Sequence, residues 1–354
     1  MGKALTSIEG KNLMTSSRQS DKATKTPVTE LYFCPNGNVA RRIGRKDFLE
    51  EKKGAIRLLH ELDKRWNLVI PGYFVLWLAS AWVAVRTDLL FINIACYVIG
   101  GMALGTLSVL AHESTHNLFT HNPKIDRWIG FLCALPILFS PTGYRIIHPY
   151  HHKNARTEND PDDIENVTSN SKLLSLLYSM VLLFGVYLYL VVVPVKSFQR
   201  ATNKKRIVIL LECGFMAALL VSAWSMFGTN VMVEAWLIPL LIAGQIGNIR
   251  GLAEHGLTSQ GNELIDTRTV VAHPVISFLM CNINYHLEHH LYPGVPWYNL
   301  PKLHQLLEED YKKAGASVYT SYGSFLMDFY KALKSGIVPG SRLIPAHLRE
   351  EVCL

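Results

Sequence analysis

Cysteine is scarce. The 354 residues contain six, at positions 34, 96, 133, 213, 281 and 353, with no CxxC spacing and no regular framework. That excludes a disulfide scaffold and leaves free thiols, some of them in apolar segments. Internal repeats and low-complexity tracts are also missing. Charged residues make up only 18% of the chain, and the formal net charge is +7. The Lys and Arg residues flank hydrophobic runs and do not alternate with exposed aromatics, so a nucleic-acid partner is not expected. The N-terminus lacks the charged-then-apolar layout of a secretory signal, so the first hydrophobic run is expected to remain as an anchor. Residues 1–30 are expected to be disordered. Met1-Gly2-Lys3-Ala4-Leu5-Thr6 matches the myristoylation pattern in form, but so short a pattern often arises by chance and a plain tail is the preferred reading.

The chain is rich in apolar residues, 49% of the total, gathered in runs long enough to cross a hydrocarbon core of roughly 30 Å. Residues 67–85 and 89–110 are two such runs separated only by Arg86, Thr87 and Asp88, which implies a helical hairpin. Lys52, Lys53, Arg57, Lys64 and Arg65 precede the first run, and the positive-inside rule puts them in the cytoplasm. Residues 128–140 are apolar but too short to span, and Pro136 interrupts them, so an interfacial or re-entrant piece is expected. Three further runs follow, at 173–195, 207–227 and 231–249. The linker between the first two carries Lys196, Arg200, Lys204, Lys205 and Arg206, whereas residues 228–230 are uncharged. The basic linker should therefore stay cytoplasmic, the last two runs should form the second hairpin, and 173–195 should lie in the interface or dip into the bilayer. The expectation is an all-α integral membrane bundle of about four spanning helices in two hairpins, multi-pass, with a cytoplasmic histidine-rich helical cap. Its parts are a cytoplasmic N-terminal region 1–66, a membrane domain 67–310 and a cytoplasmic tail 311–354.

Eight of the fourteen histidines fall in three clusters: HESTH at 112–116, HPYHH at 148–152 and HLEHH at 286–290. On a helix, positions i, i+3 and i+4 share a face, so the first cluster presents two imidazoles together and each of the others presents three. Eight converging imidazoles exceed the needs of one four-coordinate ion but suit two ions with open positions. Imidazole binds iron, zinc, copper and nickel, so ligand type alone does not select the metal. His60, His121, His273, His304 and His347 stand alone and are read as ordinary polar residues. A bis-histidine haem protein would need axial ligands facing each other across a bundle interior, and these clusters lie outside the apolar runs. A metal transporter would need ionisable ligands within the spans, where Glu212 and Glu234 are the chief candidates.

The three boxes, in this order and spacing around membrane hairpins, resemble those of the membrane fatty acid desaturase superfamily, which includes hydroxylases. The run Asn282-Ile-Asn-Tyr-His286-Leu-Glu-His-His290-Leu-Tyr-Pro-Gly-Val-Pro-Trp297 resembles the third-box region of acyl-lipid desaturases and carotenoid ring hydroxylases. The resemblance extends from about residue 67 to about 310. It implies a ninth ligand about thirty residues before the third box, and His255 stands there. The implied metal set is therefore His112, His116, His148, His151, His152, His255, His286, His289 and His290, holding two non-haem iron ions with oxygen as co-substrate. Some members hold a metal-bound water with an Asn one turn before the extra His. Here that position is Gly251, with Asn248 seven residues before His255 as a possible substitute. Glu113, Glu254, Glu288, Asp160, Asp162 and Asp163 are candidate acceptors for imidazole N–H groups.

The implied activity is oxygen-dependent desaturation of a fatty acyl chain of a lipid. Hydroxylation of a carotenoid or other lipid is the alternative, and simple metal or haem binding is less favoured. No His-Pro-Gly-Gly haem signature, cysteine cluster or dinucleotide fingerprint is present, so a separate ferredoxin or cytochrome b5 is the expected electron donor. The basic cytoplasmic surface would suit such acidic donors.

Overall fold

The computed structural model describes residues 44–260 and 262–345. The expected disordered tail, the acylation pattern, His347, Cys34 and Cys353 lie outside these residues. Thirteen helices dominate the described chain: α1 (Glu50–Leu59), α2 (Val69–Arg86), α3 (Leu90–Glu113), α4 (Pro123–Ala134), α5 (Pro141–Asn154), α6 (Ser171–Arg200), α7 (Asn203–Phe227), α8 (Thr229–Met232), α9 (Ile238–His255), α10 (Pro274–Leu279), α11 (His286–Leu291), α12 (Leu300–Ala314) and α13 (Tyr322–Ser335). Two strands of two residues each, β1 (Thr269–Val270) and β2 (Val318–Tyr319), pair in parallel.

Local chemistry sets the helix starts. Asn122, Ser140, Asn170 and Thr202 each accept a hydrogen bond from a first-turn amide of α4, α5, α6 and α7 respectively. Pro123 and Pro141 occupy the first helical positions, where a missing N–H costs nothing. Between α4 and α5 the chain bends by 105° at Pro136 and the left-handed Leu138. The segment expected to be interfacial or re-entrant, 128–140, thus falls within a sharply bent helix pair. On α3, glycines let α9 approach closely. A Cβ at Gly101 would stand 2.7 Å from the Ile242 side chain and 3.0 Å from the Pro239 carbonyl, the small-residue contact by which helices associate where lipid gives no hydrophobic drive.

The fold is an all-α membrane helical bundle. Five stretches are long and apolar enough to cross a membrane: Lys64–Arg86, Leu90–His116, Ser171–Arg200, Asn203–Phe227 and Thr229–His255. That is one more than the four expected, and the addition is α6, a single helix of 30 residues where an interfacial dip was anticipated. Its contacts run along the segment that follows the second histidine box. The Tyr178 hydroxyl donates to Glu165 (3.0 Å), the Tyr189 hydroxyl to Asp162 (2.8 Å), and the Lys196 ammonium to the Pro161 carbonyl. Ser171 at its start donates to the Ile337 carbonyl, and Arg200 at its end lies over the Tyr150 ring of α5. Both ends of α6 therefore touch segments at the histidine end of the bundle.

The C-terminal region packs more closely than the word tail suggests. Helix α12 runs through the expected boundary at 310. Phe325, Phe329, Ala332, Ile337 and Leu343 then join Leu174, Tyr178, Leu252 and Ala253 in one buried cluster. This cluster braces the end of α9 that carries His255. Arg268 completes the brace. Its guanidinium is fully buried between the Tyr319 and Phe325 rings and donates to the carbonyls of Ala253 (2.8 Å), Gly256 (3.1 Å) and Leu257 (3.3 Å). A cation there satisfies the orphan carbonyls and the negative end of the helix dipole. Burial pulls the guanidinium down to about 10, which still leaves it charged at neutral pH. Arg268→Ala should cost about 3 kcal/mol or more, because several buried acceptors lose a charged donor at once. Thermal unfolding of the purified protein checks this.

Candidate metal centre

Each histidine box sits where the backbone can aim it inward. His112 occupies the last turn of α3, and His116 closes the following tight turn, which ends at the left-handed Asn117. Arg145 on α5 holds that turn: its guanidinium donates to Asn117 Oδ1 (3.0 Å) and to the carbonyls of Thr115 (3.4 Å) and Ser114. One turn further along α5 come His148, His151 and His152, so the residue that caps the first box is fixed to the helix that carries the second. The start of α5 is fixed in turn by Glu212 of α7, which accepts from Ser140 Oγ (2.8 Å), the Thr142 amide (3.2 Å) and Thr142 Oγ1 (2.5 Å). That use of Glu212 accounts for a carboxylate within an apolar run without a transport role. His255 ends α9, and the third box is the whole of the six-residue α11.

All nine sequence-selected imidazoles converge. The Nε2 atom of His148 lies 2.9 Å from that of His112, 3.1 Å from that of His116 and 2.9 Å from that of His152. With His289 these four form one group whose ligand atoms all lie within 4.8 Å of one another. His151, His255 and His290 form a second group, and His286 joins it through a 2.8 Å approach of its Nε2 to that of His255. The two groups touch where the His152 and His290 rings stack, with centroids 4.2 Å apart.

Hydrogen bonding alone does not account for this packing. A neutral imidazole has one N–H, so a single Nε2 cannot bond properly with three other Nε2 atoms. Neither ring nitrogen of His289 has a hydrogen-bond partner among the described residues, and the same holds for Nε2 of His290 and Nδ1 of His286. Buried polar atoms left this way are costly unless something else satisfies them. Burial, reinforced by neighbouring imidazoles, pushes His286, His289 and His290 well below the ordinary histidine range. They are therefore neutral, the form that donates a lone pair to a metal. Both the donor set and the inward lone pairs fit metal ions of the imidazole-binding kind.

The surrounding acids divide by role. Asp160 accepts from His151 Nδ1 (2.9 Å) and is itself held by the Arg156 and Asp162 amides, so it orients that ring. Asp162 is 3.8 Å from His151 and accepts from Tyr189. Glu113 and Glu254 stand 3.6 Å from His112 Nδ1 and 3.5 Å from His286 Nδ1, near but beyond hydrogen bonding. Asp163 pairs with Arg156 at 2.7 Å, a bond that secures the loop. Asn248 does not face the imidazoles through its carbonyl: Oδ1 accepts from the Val186 amide of α6 at 2.5 Å. Gln245, on the same side of α9, donates to Leu182 at 3.0 Å, so the two amides together fasten α6 to α9.

Sequence reasoning missed Arg145 and His304. Arg145 lies three residues before the second box and offers no motif of its own. His304 stands alone in the sequence, yet its Nδ1 lies 2.6 Å from the buried Glu288 carboxylate. A distinguishing sign would have been its place in the apolar spacing of α12, where Leu300, Leu303, Leu307 and Tyr311 are buried.

A bundle of long apolar helices with nine imidazoles gathered at one end defines a class of membrane proteins whose histidine clusters could hold metal ions. The chain belongs to the fatty acid desaturase family, which it matches over residues 87–322, a region that includes all nine histidines. It is similar to a sphingolipid delta(4)-desaturase DES1 of Drosophila melanogaster, 26% identical over 80% of this chain and 87% of the relative. An sn-1 oleoyl-lipid 12-desaturase of Arthrospira platensis is 24% identical over 67% of this chain and 74% of its own. A sphingolipid delta(4)-desaturase/C4-monooxygenase DES2 of Bos taurus is 23% identical over 75% and 81%. The protein is accordingly an oxidoreductase of the desaturase type.

Proposed function

We propose that the protein introduces a double bond into a fatty acyl chain of a membrane lipid, using oxygen and two iron ions held by the nine histidines. The observation that carries this reading is the approach of three Nε2 atoms to that of His148, an arrangement that a shared cation explains and hydrogen bonding does not. His112, His116, His148, His152 and His289 would hold one ion, and His151, His255, His286 and His290 the other. Bound iron would supply the one-electron chemistry with oxygen that an unactivated C–H bond requires.

The chain's own share is geometric and electrostatic. Burial keeps His286, His289 and His290 neutral and so ready to bind metal without a competing proton. Asp160 fixes the tautomer of His151, and Arg145 and Glu212 hold the first two boxes in register. Removing two hydrogens from the acyl chain while reducing O2 to two waters consumes two further electrons and two protons. A separate ferredoxin or cytochrome b5 would deliver those electrons. The relatives that act on sphingolipids and on acyl-lipids make a lipid the substrate class, and the C4-monooxygenase in the name of one relative makes hydroxylation the second reading. A lipid profile of cells expressing the protein, beside cells expressing His289→Ala, separates the two: a new alkene supports desaturation and a new alcohol supports hydroxylation.

The same reading is multi-pass, with the histidine end in the cytoplasm. Residues 44–66, 111–206 and 250–345 would lie on that side, and the turns at 86–88 and 228–230 on the other. Helix α6 would then lie along the interface, as its contacts with the 161–165 segment support. Impermeant thiol reagents applied from the outer face should label Asn230→Cys and leave Lys204→Cys untouched; labelling of Lys204→Cys would make α6 a true span.

A further inference from the structure

The third box places its histidines on one face of α11 and leaves Leu287 and Glu288 to face elsewhere. At about 100° per residue, Glu288 sits roughly 200° from His286, on the far side of the helix from the imidazole cluster. Glu288 is fully buried there, without contact to any of the nine histidines through a hydrogen bond. Its Oε2 accepts from Thr269 Oγ1 at 2.5 Å, and its Oε1 lies 2.6 Å from Nδ1 of His304. Thr269 belongs to β1. His304 belongs to α12, where its ring is set between Tyr285 (5.3 Å) and Tyr311 (5.6 Å). One carboxylate thus fastens α11 to a strand and to a second helix.

Such fastening matters because α11 has only six residues. A helix that short has no stability of its own, so its rotation is set by what it is tied to. Three of the nine imidazoles ride on it. A turn of about 10° would carry a ring nitrogen lying roughly 6 Å from the helix axis through about 1 Å, and displacements of that size are enough to disable a positioned site. We propose that His304 is a positioning residue for the metal centre, acting through Glu288 to fix the rotation of α11. This rests on the reading of the nine histidines as metal ligands.

Three substitutions separate the hydrogen bond from the packing of the ring. His304→Asn places an amide nitrogen where Nδ1 stands, His304→Phe keeps a ring between the two tyrosines but cannot donate, and His304→Ala removes both. Each is purified with its metal, and three quantities are measured: metal per chain, the rate of metal release into excess chelator, and the melting of the metal-free protein. His304→Phe and His304→Ala should release metal at least about tenfold faster than the parent, in the range seen when outer partners of metal ligands are lost. His304→Asn should stay within about threefold of the parent, with metal-free melting alike for Asn and Phe. Parental release from His304→Phe would overturn the proposal, as would an Asn variant no better than Phe. A parent protein that purifies without metal would instead remove the underlying reading, and the proposal with it.

Discussion

Replacing His148 by alanine should lower product formation more than about a hundredfold, beyond the effect of losing an outer partner alone, while the protein still accumulates in membranes. His148 has this weight because its Nε2 stands within 3.1 Å of three other imidazole nitrogens, so one substitution opens the middle of the five-histidine group. Folding should survive, since Ser140 and Glu212 still cap the start of α5 and Arg145 still binds the turn after α3. The check is product per unit of membrane protein, with abundance matched. Near-parental activity in His148→Ala would mean that the histidine cluster is not the reacting centre.

His255→Ala should have an effect of similar size but a different signature. His255 belongs to the group of four, so its loss should remove metal from that group and spare the other, giving roughly half the parental metal content together with a product loss of more than about a hundredfold. His121→Ala and His273→Ala change exposed residues outside the cluster and should leave activity near the parent's. Metal analysis beside product analysis distinguishes the two outcomes. Full activity in His255→Ala would take it out of the ligand set.

Eight of the nine converging histidines were legible because helical spacing is a local property: i, i+3 and i+4 place rings on one face wherever the chain goes. His255 is the exception, since no local motif surrounds it, and only the resemblance to other third-box regions pointed to it. The structure supplies the reason it fits: α9 packs against α3 along Gly101 and against α6 through Gln245 and Asn248, and its last residue arrives beside His286. What stayed hidden is long-range pairing. Arg145 with the end of α3, Glu212 with the start of α5, Arg268 with the end of α9 and His304 with Glu288 all join residues that sequence spacing does not relate. Nor did the sequence reveal that Asn248 would use its carbonyl on the backbone of α6. The apolar run at 173–195 was readable as a helix, but hydropathy does not tell a helix lying along a membrane face from one that crosses it. Tyr178, Tyr189 and Lys196, bonded along the segment after the second box, and Ser171 and Arg200 at the helix ends bear on that.

The nine imidazoles are proposed to form one site for two ions of iron. Elemental analysis of the protein purified from membranes under iron-replete growth, referred to protein by amino-acid analysis, tests it most directly. Two iron atoms per chain are expected, and fewer in His148→Ala and in His255→Ala. Stoichiometric zinc, or a single metal ion per chain, would contradict it.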